Sequence, residues 1–121
     1  QTDSGGSGRY RGGLGQVIEI ENAIGQDMEL LAAFDRIHFP ARGRAGGADG
    51  AAGRVALKQN GELQGKGCQL IPAGDRLIIN TPGGGGFGPA SQRDRQRVRR
   101  DLTNGIISHH AAVDDYALTD G

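Results

Sequence analysis

The stretch Thr81-Pro82-Gly83-Gly84-Gly85-Gly86-Phe87-Gly88 places four consecutive glycines directly after the apolar run Leu77-Ile78-Ile79. Glycine loses more backbone entropy on folding than any other residue, so such a run is destabilising unless the backbone adopts positive φ or passes close to another group. The chain before the run has the pattern of short strands and turns, and the chain after it has the pattern of helices. The run is therefore predicted to be a tight backbone feature on which the fold is organised, with positive φ in at least one of its glycines.

Length and composition favour one small, turn-rich β domain. The chain has 121 residues, of which 23 are glycine, about a fifth, against a usual level of roughly 7%. Apolar alternation persists between the glycines, which argues against wholesale disorder. The 14 basic and 14 acidic residues cancel, which removes any global electrostatic case for nucleic-acid or membrane binding. The only cysteine, Cys68, excludes an internal disulfide, and its apolar neighbours predict that it is buried and unreactive.

Alternation of apolar and polar residues predicts the strands. Short strands are expected from Gln16, over 28–34, over 55–57, from Leu63 and over 76–81, the last of them central. The predicted fold is mainly β, a sandwich or open barrel of five to seven short strands with two short C-terminal helices. Residues 1–121 are predicted to form a single domain, with a β part over about 14–82 and a helical part over about 92–117.

Two turns are predicted to join neighbouring strands as hairpins. Residues 24–27 have turn composition and lie between the first two strands. Asn60-Gly61 is the strongest short hairpin signal and favours a type I′ turn.

Two further glycine-rich segments precede the run. Residues 1–13 hold five glycines and have the composition of a flexible terminal tail. Residues 41–50 form a second glycine loop that carries Arg42 and Arg44. Arginine beside glycine can bind an anion through its guanidinium group and nearby backbone N–H groups, although such a loop is more often simply exposed.

The C-terminal part has helix signals. Asp94 is predicted to cap a helix that runs to Asn104, with Val98 and Leu102 on its inner face. Ser108 is predicted to cap a second short helix. Five arginines decorate the first helix, and they form either a solvated face or a contact for an acidic partner or nucleic acid: Arg93, Arg95, Arg97, Arg99 and Arg100.

No motif assigns chemistry to the chain. The segment Gly61–Gly67 is one residue short of a Walker A loop and has glycine where Ser or Thr must bind magnesium. Gly83-x-Gly85-x-x-Gly88 matches the dinucleotide fingerprint, but a run of four glycines produces that match by chance. We therefore predict no catalytic, cofactor-binding or metal-binding residue. The candidate functional loops are represented by Arg11, Arg42, Gly83, Gly84, Gly85, Gly86 and Phe87.

A series of motifs spans the whole chain in a fixed order. They are Asp3-Ser4-Gly5-Gly6, Tyr10–Gly15, Phe39–Gly43 with Gly46-Gly47, Pro72–Asp75, Thr81–Gly88, Arg93-Asp94, Asp101, Gly105, Ser108, Ala111-Ala112 and Tyr116. The series resembles the C-terminal region of the hydantoinase B/5-oxoprolinase family, which includes N-methylhydantoinase B-type subunits and relatives of acetone carboxylase.

The resemblance implies membership of a cytoplasmic enzyme of several hundred residues. Such enzymes open cyclic amides such as 5-oxoproline or hydantoins with ATP, or carboxylate ketones. ATP and a divalent metal are expected to bind elsewhere in the full enzyme, so no cofactor is expected in these residues. The chain, which begins at Gln1, is expected to be a C-terminal accessory domain without catalysis of its own. Its expected partners are the rest of its subunit and an A-type hydantoinase/oxoprolinase half, with no membrane contact and nucleic acid disfavoured. The alternative is an independent anion- or partner-binding module that uses the arginine-rich helix.

Overall fold

The computed structural model describes residues 1–119 as an open β sandwich with two short helices. The four-stranded antiparallel sheet has the order β1-β6-β3-β4, and β2 and β5 form a two-stranded antiparallel sheet. The mainly β fold with two C-terminal helices is thus confirmed, and the described strands do not close into a barrel. The elements are β1 (Val17–Glu21), β2 (Met28–Ala33), β3 (Arg54–Leu57), β4 (Gly61–Glu62), β5 (Lys66–Ile71), β6 (Arg76–Asn80), α1 (Arg95–Thr103) and α2 (His109–Asp114).

The core of the sandwich lies between the two sheets. Val55 and Leu57 of β3, Leu77 of β6 and Ile71 of β5 are buried together. Half-buried side chains surround them: Met28, Leu30, Phe34, Ile37, Leu63 and Ile79. The strand after the Pro72 turn is central, as predicted, because β6 lies between β1 and β3.

The predicted hairpin between the first two strands is wrong. β1 pairs with β6, and β2 pairs with β5 in the other sheet. The chain crosses between the sheets at Asn22, which is 2% exposed and donates from Nδ2 to the carbonyls of Gln26 and Ile71. Crossing places the apolar face of β2 against the four-stranded sheet, whereas a hairpin would have put both strands in one layer.

The turn at Asn60-Gly61 is also not type I′. That turn needs positive φ at both central residues, and only Gly61 has it, with φ 87°. The loop is instead set by Asp75, which is 1% exposed and accepts hydrogen bonds from the Gln59 backbone N–H and from Asn60 Nδ2. Burial alone would raise the pKa of Asp75, but these bonds and that from the Arg76 N–H outweigh it and lower the pKa.

Three glycine-rich segments without regular secondary structure pack side by side: residues 4–15, 41–51 and 82–88. We call this unit the glycine bundle. Gly83 and Gly86 donate their backbone N–H groups to the carbonyls of Ala51 and Ala48. Those two alanines donate in turn to Ser4 and Ser7. Between the two sets of hydrogen bonds, the position in each segment shifts by three residues. Three residues is the repeat of a polyproline II helix.

The glycines of the run are required by close backbone approach, because positive φ occurs at none of residues 83–86. A Cβ at Gly83 would lie 1.7 Å from the Ser4 carbonyl oxygen. At Gly86 it would lie 2.1 Å from the Ser7 oxygen, and at Gly85 2.2 Å from the Arg42 oxygen. The prediction of a tight backbone feature therefore holds, and its expected cause was wrong.

Residues 1–13 are not a flexible tail. Ser4 is 1% exposed, and its hydroxyl donates to the Gln1 carbonyl and accepts from the Gly15 N–H. The segment forms one side of the glycine bundle, so composition alone misassigned it.

Cys68 also differs from its prediction, since its side chain is exposed on β5. It lies opposite Leu31 on the outer face of the two-stranded sheet. The inner face of β5 carries the buried Ile71 instead, so the apolar environment of Cys68 along the sequence does not extend to its place in the fold.

Both helices begin at the predicted caps. Asp94 accepts from the Gln96 N–H at 2.8 Å, and Ser108 accepts from the Ala111 N–H at 3.1 Å. The helices share a small core of Val98, Ile107, Ala111, Ala112 and Tyr116. No helix among residues 1–119 is long and apolar enough to span a membrane.

Alanine substitutions in the bundle test the close-approach argument. We expect Gly83→Ala, Gly85→Ala and Gly86→Ala each to lower the free energy of unfolding by about 3 kcal/mol, the upper part of the usual range for overpacking. Gly13→Ala is the matched control, because a Cβ there meets nothing within 4 Å and φ is not positive. It should be neutral or stabilising by up to about 1 kcal/mol. Urea unfolding of the four variants decides: equal stabilities would show that the bundle is slack.

Candidate functional site

The glycine bundle brings most of the candidate loops together through their backbones. The Arg42 carbonyl faces Gly85, while the Arg42 side chain is exposed. Gly84 donates to the Gly13 carbonyl at 2.9 Å. Phe87 and Tyr10 exchange two backbone hydrogen bonds of 2.9 Å. The predicted loops thus form one structural unit.

The Arg11 side chain has a structural partner. Its Nε donates to Asp101 Oδ2 at 3.2 Å, and the Arg93 Nη2 donates to the same oxygen at 2.9 Å. The Asp101 and Arg93 side chains are each 7% exposed. We call these three residues the Asp101 cluster. It joins the first segment of the glycine bundle to α1, so Arg11 serves to hold the helical part against the bundle.

Arg93 and Asp101 were not among the predicted site residues. Their spacing of eight residues carries no chemical signature, and only their place in the resemblance singled them out. Arg93 was expected on a decorated helix face, whereas it precedes α1 and is buried. Its Nη1 donates to the Arg9 carbonyl at 3.1 Å, which adds a second link to the bundle.

Tyr116 lies against this cluster from the α2 side. Its side chain is 1% exposed, and burial raises the pKa of its hydroxyl, while the nearby charges of Arg93 and Arg11 lower it to a smaller extent. The phenol is therefore neutral near pH 7. Its position in the helical core favours a packing role.

A cationic cleft opens at one end of the bundle. It has a volume of about 790 Å³ and is lined by Arg9, Tyr10 and residues 91–97. We call it the arginine cleft. The Arg9 guanidinium lies 5.4 Å from the centre of the Tyr10 ring, and the Tyr10 and Phe87 ring centres are 6.3 Å apart. The candidate residue Phe87 thus lies beside the cleft, in contact with a residue that lines it.

The arginines of the cleft differ in what they can still bind. Arg95 donates to backbone carbonyls of Ala90, Ser91, Arg93 and Tyr116, so it is committed to the fold. Arg9 and Arg97 are exposed and form no ion pair with any residue from 1 to 119. The cleft can therefore attract an anion through these two groups.

The donor set does not fit a divalent metal ion. Among the described residues, no three His, Cys, Asp or Glu side chains lie close enough together to hold one. His110 pairs with Asp114 on the exposed side of α2 at 2.9 Å, and Asp101 is occupied by two arginines. We derive no metal chemistry for these residues.

Removing the charge of Asp101 should separate the helical part from the bundle. We expect Asp101→Asn to cost about 3–5 kcal/mol of unfolding free energy, because two guanidinium groups lose their buried partner. Asp114→Asn is the matched control, since it removes one carboxylate whose partner is the exposed His110 and should cost less than about 1 kcal/mol. Thermal and urea unfolding of both variants measure the difference, and equal losses would contradict the structural role of the cluster.

Comparison with known proteins identifies similar sequences over the whole chain. The family model described as Hydantoinase B/oxoprolinase matches residues 1–90. The chain is 38% identical over 119 residues to an uncharacterized protein from Methanocaldococcus jannaschii, covering 96% of this chain and 21% of that protein. It is 32% identical over 126 residues to caprolactamase subunit beta from Pseudomonas jessenii, covering 97% of this chain and 21% of the subunit. It is 42% identical over 90 residues to 5-oxoprolinase 1 from Arabidopsis thaliana, covering 71% of this chain and 7% of that protein.

Solved structures share the fold. The ATP-dependent caprolactamase from Pseudomonas jessenii superposes with a TM-score of 0.74 at 24% identity, covering all of this chain and 22% of that one. Acetone carboxylase in its nucleotide-free form superposes with a TM-score of 0.56 at 18% identity, covering 98% of this chain and 20% of that one. The chain therefore spans about a fifth of the length of several of these relatives.

Proposed function

Because this chain belongs to the hydantoinase B/oxoprolinase family, we propose that it forms the C-terminal accessory domain of a subunit of an ATP-dependent cyclic-amide hydrolase. The relatives named caprolactamase subunit beta and 5-oxoprolinase support this class of reaction. In this proposal the chain is not catalytic alone. ATP and the divalent metal bind in other parts of the enzyme, which acts in the cytoplasm, and an A-type half is the partner.

The hydrogen-bond partners of the buried polar side chains are the observation that supports an accessory role. Five polar residues are buried in the described chain: Ser4, Asn22, Asp75, Arg93 and Asp101. Each of them hydrogen-bonds to backbone groups or to another member of the Asp101 cluster. Catalytic residues need free donors or acceptors that face a substrate. Apart from the Arg93 Nε atom, which is buried without a hydrogen-bond partner among the described residues, these five side chains hold segments of the chain together, which supports a scaffold role.

The exposed end of the glycine bundle is the part suited to contact a substrate-binding region. Tyr10 and Phe87 are 51% and 53% exposed there, on backbone that is held by paired hydrogen bonds and close contacts. A rigid support is what a wall of an active site requires. We therefore assign Arg42, Gly83–Gly86 and Phe87 to one wall of the site, with the glycines as its support.

Activity measurements on the isolated chain test the accessory role. We expect no hydrolysis of ATP and no opening of 5-oxoproline or hydantoin above a buffer control, because in this proposal the catalytic groups lie in other parts of the enzyme. Turnover that persists through repurification and follows the chain through gel filtration would contradict the proposal.

Replacing aromatic residues in the full-length subunit, measured together with its A-type partner, tests whether the glycine bundle forms a wall of the active site. Phe87→Ala should lower kcat/KM about tenfold, a loss of about 1.4 kcal/mol of transition-state stabilisation, with little change in Tm. Phe39→Ala is the matched control, since Phe39 is 83% exposed and lies outside the three segments of the bundle. An equal effect of both substitutions on kcat/KM would show that the bundle end does not line the site.

The arginine cleft favours a second candidate function, an anion- or partner-binding module. Residues 91–101 carry five arginines and two aspartates, a net charge of +3, but Arg93 and Asp101 neutralise each other internally. Arg97, Arg99 and Arg100 remain exposed. This charge supports only weak association with a polyanion.

Binding titrations separate the two candidates. At 0.15 M salt we expect duplex DNA and a polyglutamate peptide to bind the isolated chain with Kd no tighter than about 10 µM, in the non-specific range. Submicromolar binding that is lost in Arg97→Gln but kept in Arg54→Gln, an arginine on the sandwich, would instead support the binding module.

A further inference from the structure

Rows of apolar side chains run across the four-stranded sheet from β3 to β1, and they become exposed to solvent at β1. Residues directly opposite each other in antiparallel strands point to the same face. One row runs from Val55 through Ile79 to Ile18, and the next runs from Leu57 through Leu77 to Ile20. Both rows begin in the core of the sandwich.

In each row the side chain on β1 is the most exposed. Val55 is 2% exposed and Leu57 6% exposed. Ile18 is 39% exposed and Ile20 is 47% exposed, on the same face of the same sheet. In the described part of the chain the second sheet has two strands, and its core side chains pack on β3 and β6. The core face of β1 is thus left open within residues 1–119.

The opposite face of β1 carries the charged side chains of Glu19 and Glu21. Glu19 of β1 pairs with Arg76 at 3.4 Å and with Lys58 at 3.6 Å, and Glu21 pairs with Arg76 at 3.6 Å. Glutamates and isoleucines alternate along β1, so its two faces have different chemistry. The uncovered isoleucines therefore belong to an incomplete core layer.

The outer edge of β1 is unprotected as well. β1 is the first strand in the sheet order and has no neighbour on its other side among the described residues. Natural edge strands are often blocked by lysine, other charged side chains, proline or a bulge. The sequence of β1, Val-Ile-Glu-Ile-Glu, has neither lysine nor proline, and its two glutamates alternate with the isoleucines and so lie on the other face. An open edge beside an open core face is the arrangement that accepts an added strand.

We infer that β1 is the docking site for a β-strand from the part of the subunit outside these residues. The added strand continues the sheet beyond β1, and its apolar side chains cover Ile18 and Ile20. This chain spans 21% of the length of two relatives. A longer subunit of that size has further residues that could supply the added strand. The inference rests on the proposed function, because it requires a longer subunit.

Hydrogen exchange in the full-length subunit, compared with the isolated chain, tests the inference. Amides of residues 17–21 should exchange at least tenfold more slowly in the subunit. Residues 109–114 of α2 are the internal reference and should change less.

The double variant Ile18→Thr/Ile20→Thr keeps β-branched side chains and should lower the Tm of the subunit by several degrees, with little effect on the isolated chain. Val17→Thr is the matched control, since Val17 lies on the other face of the same strand and is 56% exposed.

Each outcome has a distinct meaning. An active subunit in which β1 exchanges as fast as in the isolated chain would overturn the docking inference alone. An isolated chain that forms a dimer with slow exchange at β1 would assign the face to a second copy and overturn the assignment to the subunit. If the gene encodes only these residues, the occupant does not exist, and the proposed accessory role fails together with the inference.

Discussion

The fold depends on backbone packed against backbone in the glycine bundle. Carbonyl oxygens of Ser4, Ser7 and Arg42 occupy the places where Cβ atoms of Gly83, Gly86 and Gly85 would stand. Segments this close can bond each other directly, so three stretches without regular secondary structure satisfy their buried N–H and C=O groups among themselves. The high glycine content, which suggests flexibility in a sequence, here serves close packing.

The sequence predicts the features that arise locally and misses those set by packing between distant segments. The strands β1 and β2 and the caps at Asp94 and Ser108 follow from neighbouring residues, and the structure confirms them, although every residue of β1 is exposed. The pairing of β1 with β6 depends on how the strands are divided between the two packed sheets. No turn motif in the sequence determines that division. The exposure of Cys68 and the burial of Ser4, Gly6 and Gly8 were missed for the same reason.

The candidate site could be predicted only as a set of loops. The glycine run and Arg42 were found because unusual composition marks a special backbone, and the structure brings them into contact. The Asp101 cluster was missed, since its members come from positions 11, 93 and 101 and meet only after folding. Arginines on a helix were expected to form a single face, yet Arg93 and Arg95 turn inward to hold the chain.

The bundle also fixes the position of the open edge strand. Gln16, just before β1, donates to Thr81 Oγ1 at 2.6 Å, and Thr81, just after β6, donates to the Gln16 carbonyl at 2.8 Å. Gly15, next to them, packs against the Thr81 carbonyl. The pairing of β1 with β6 therefore continues directly into the glycine bundle, whose other end holds Tyr10 and Phe87. Interlocked backbone has few alternative arrangements. A strand bound to β1 is thus held at a fixed distance from the aromatic end, and the bundle provides the rigid connection between them.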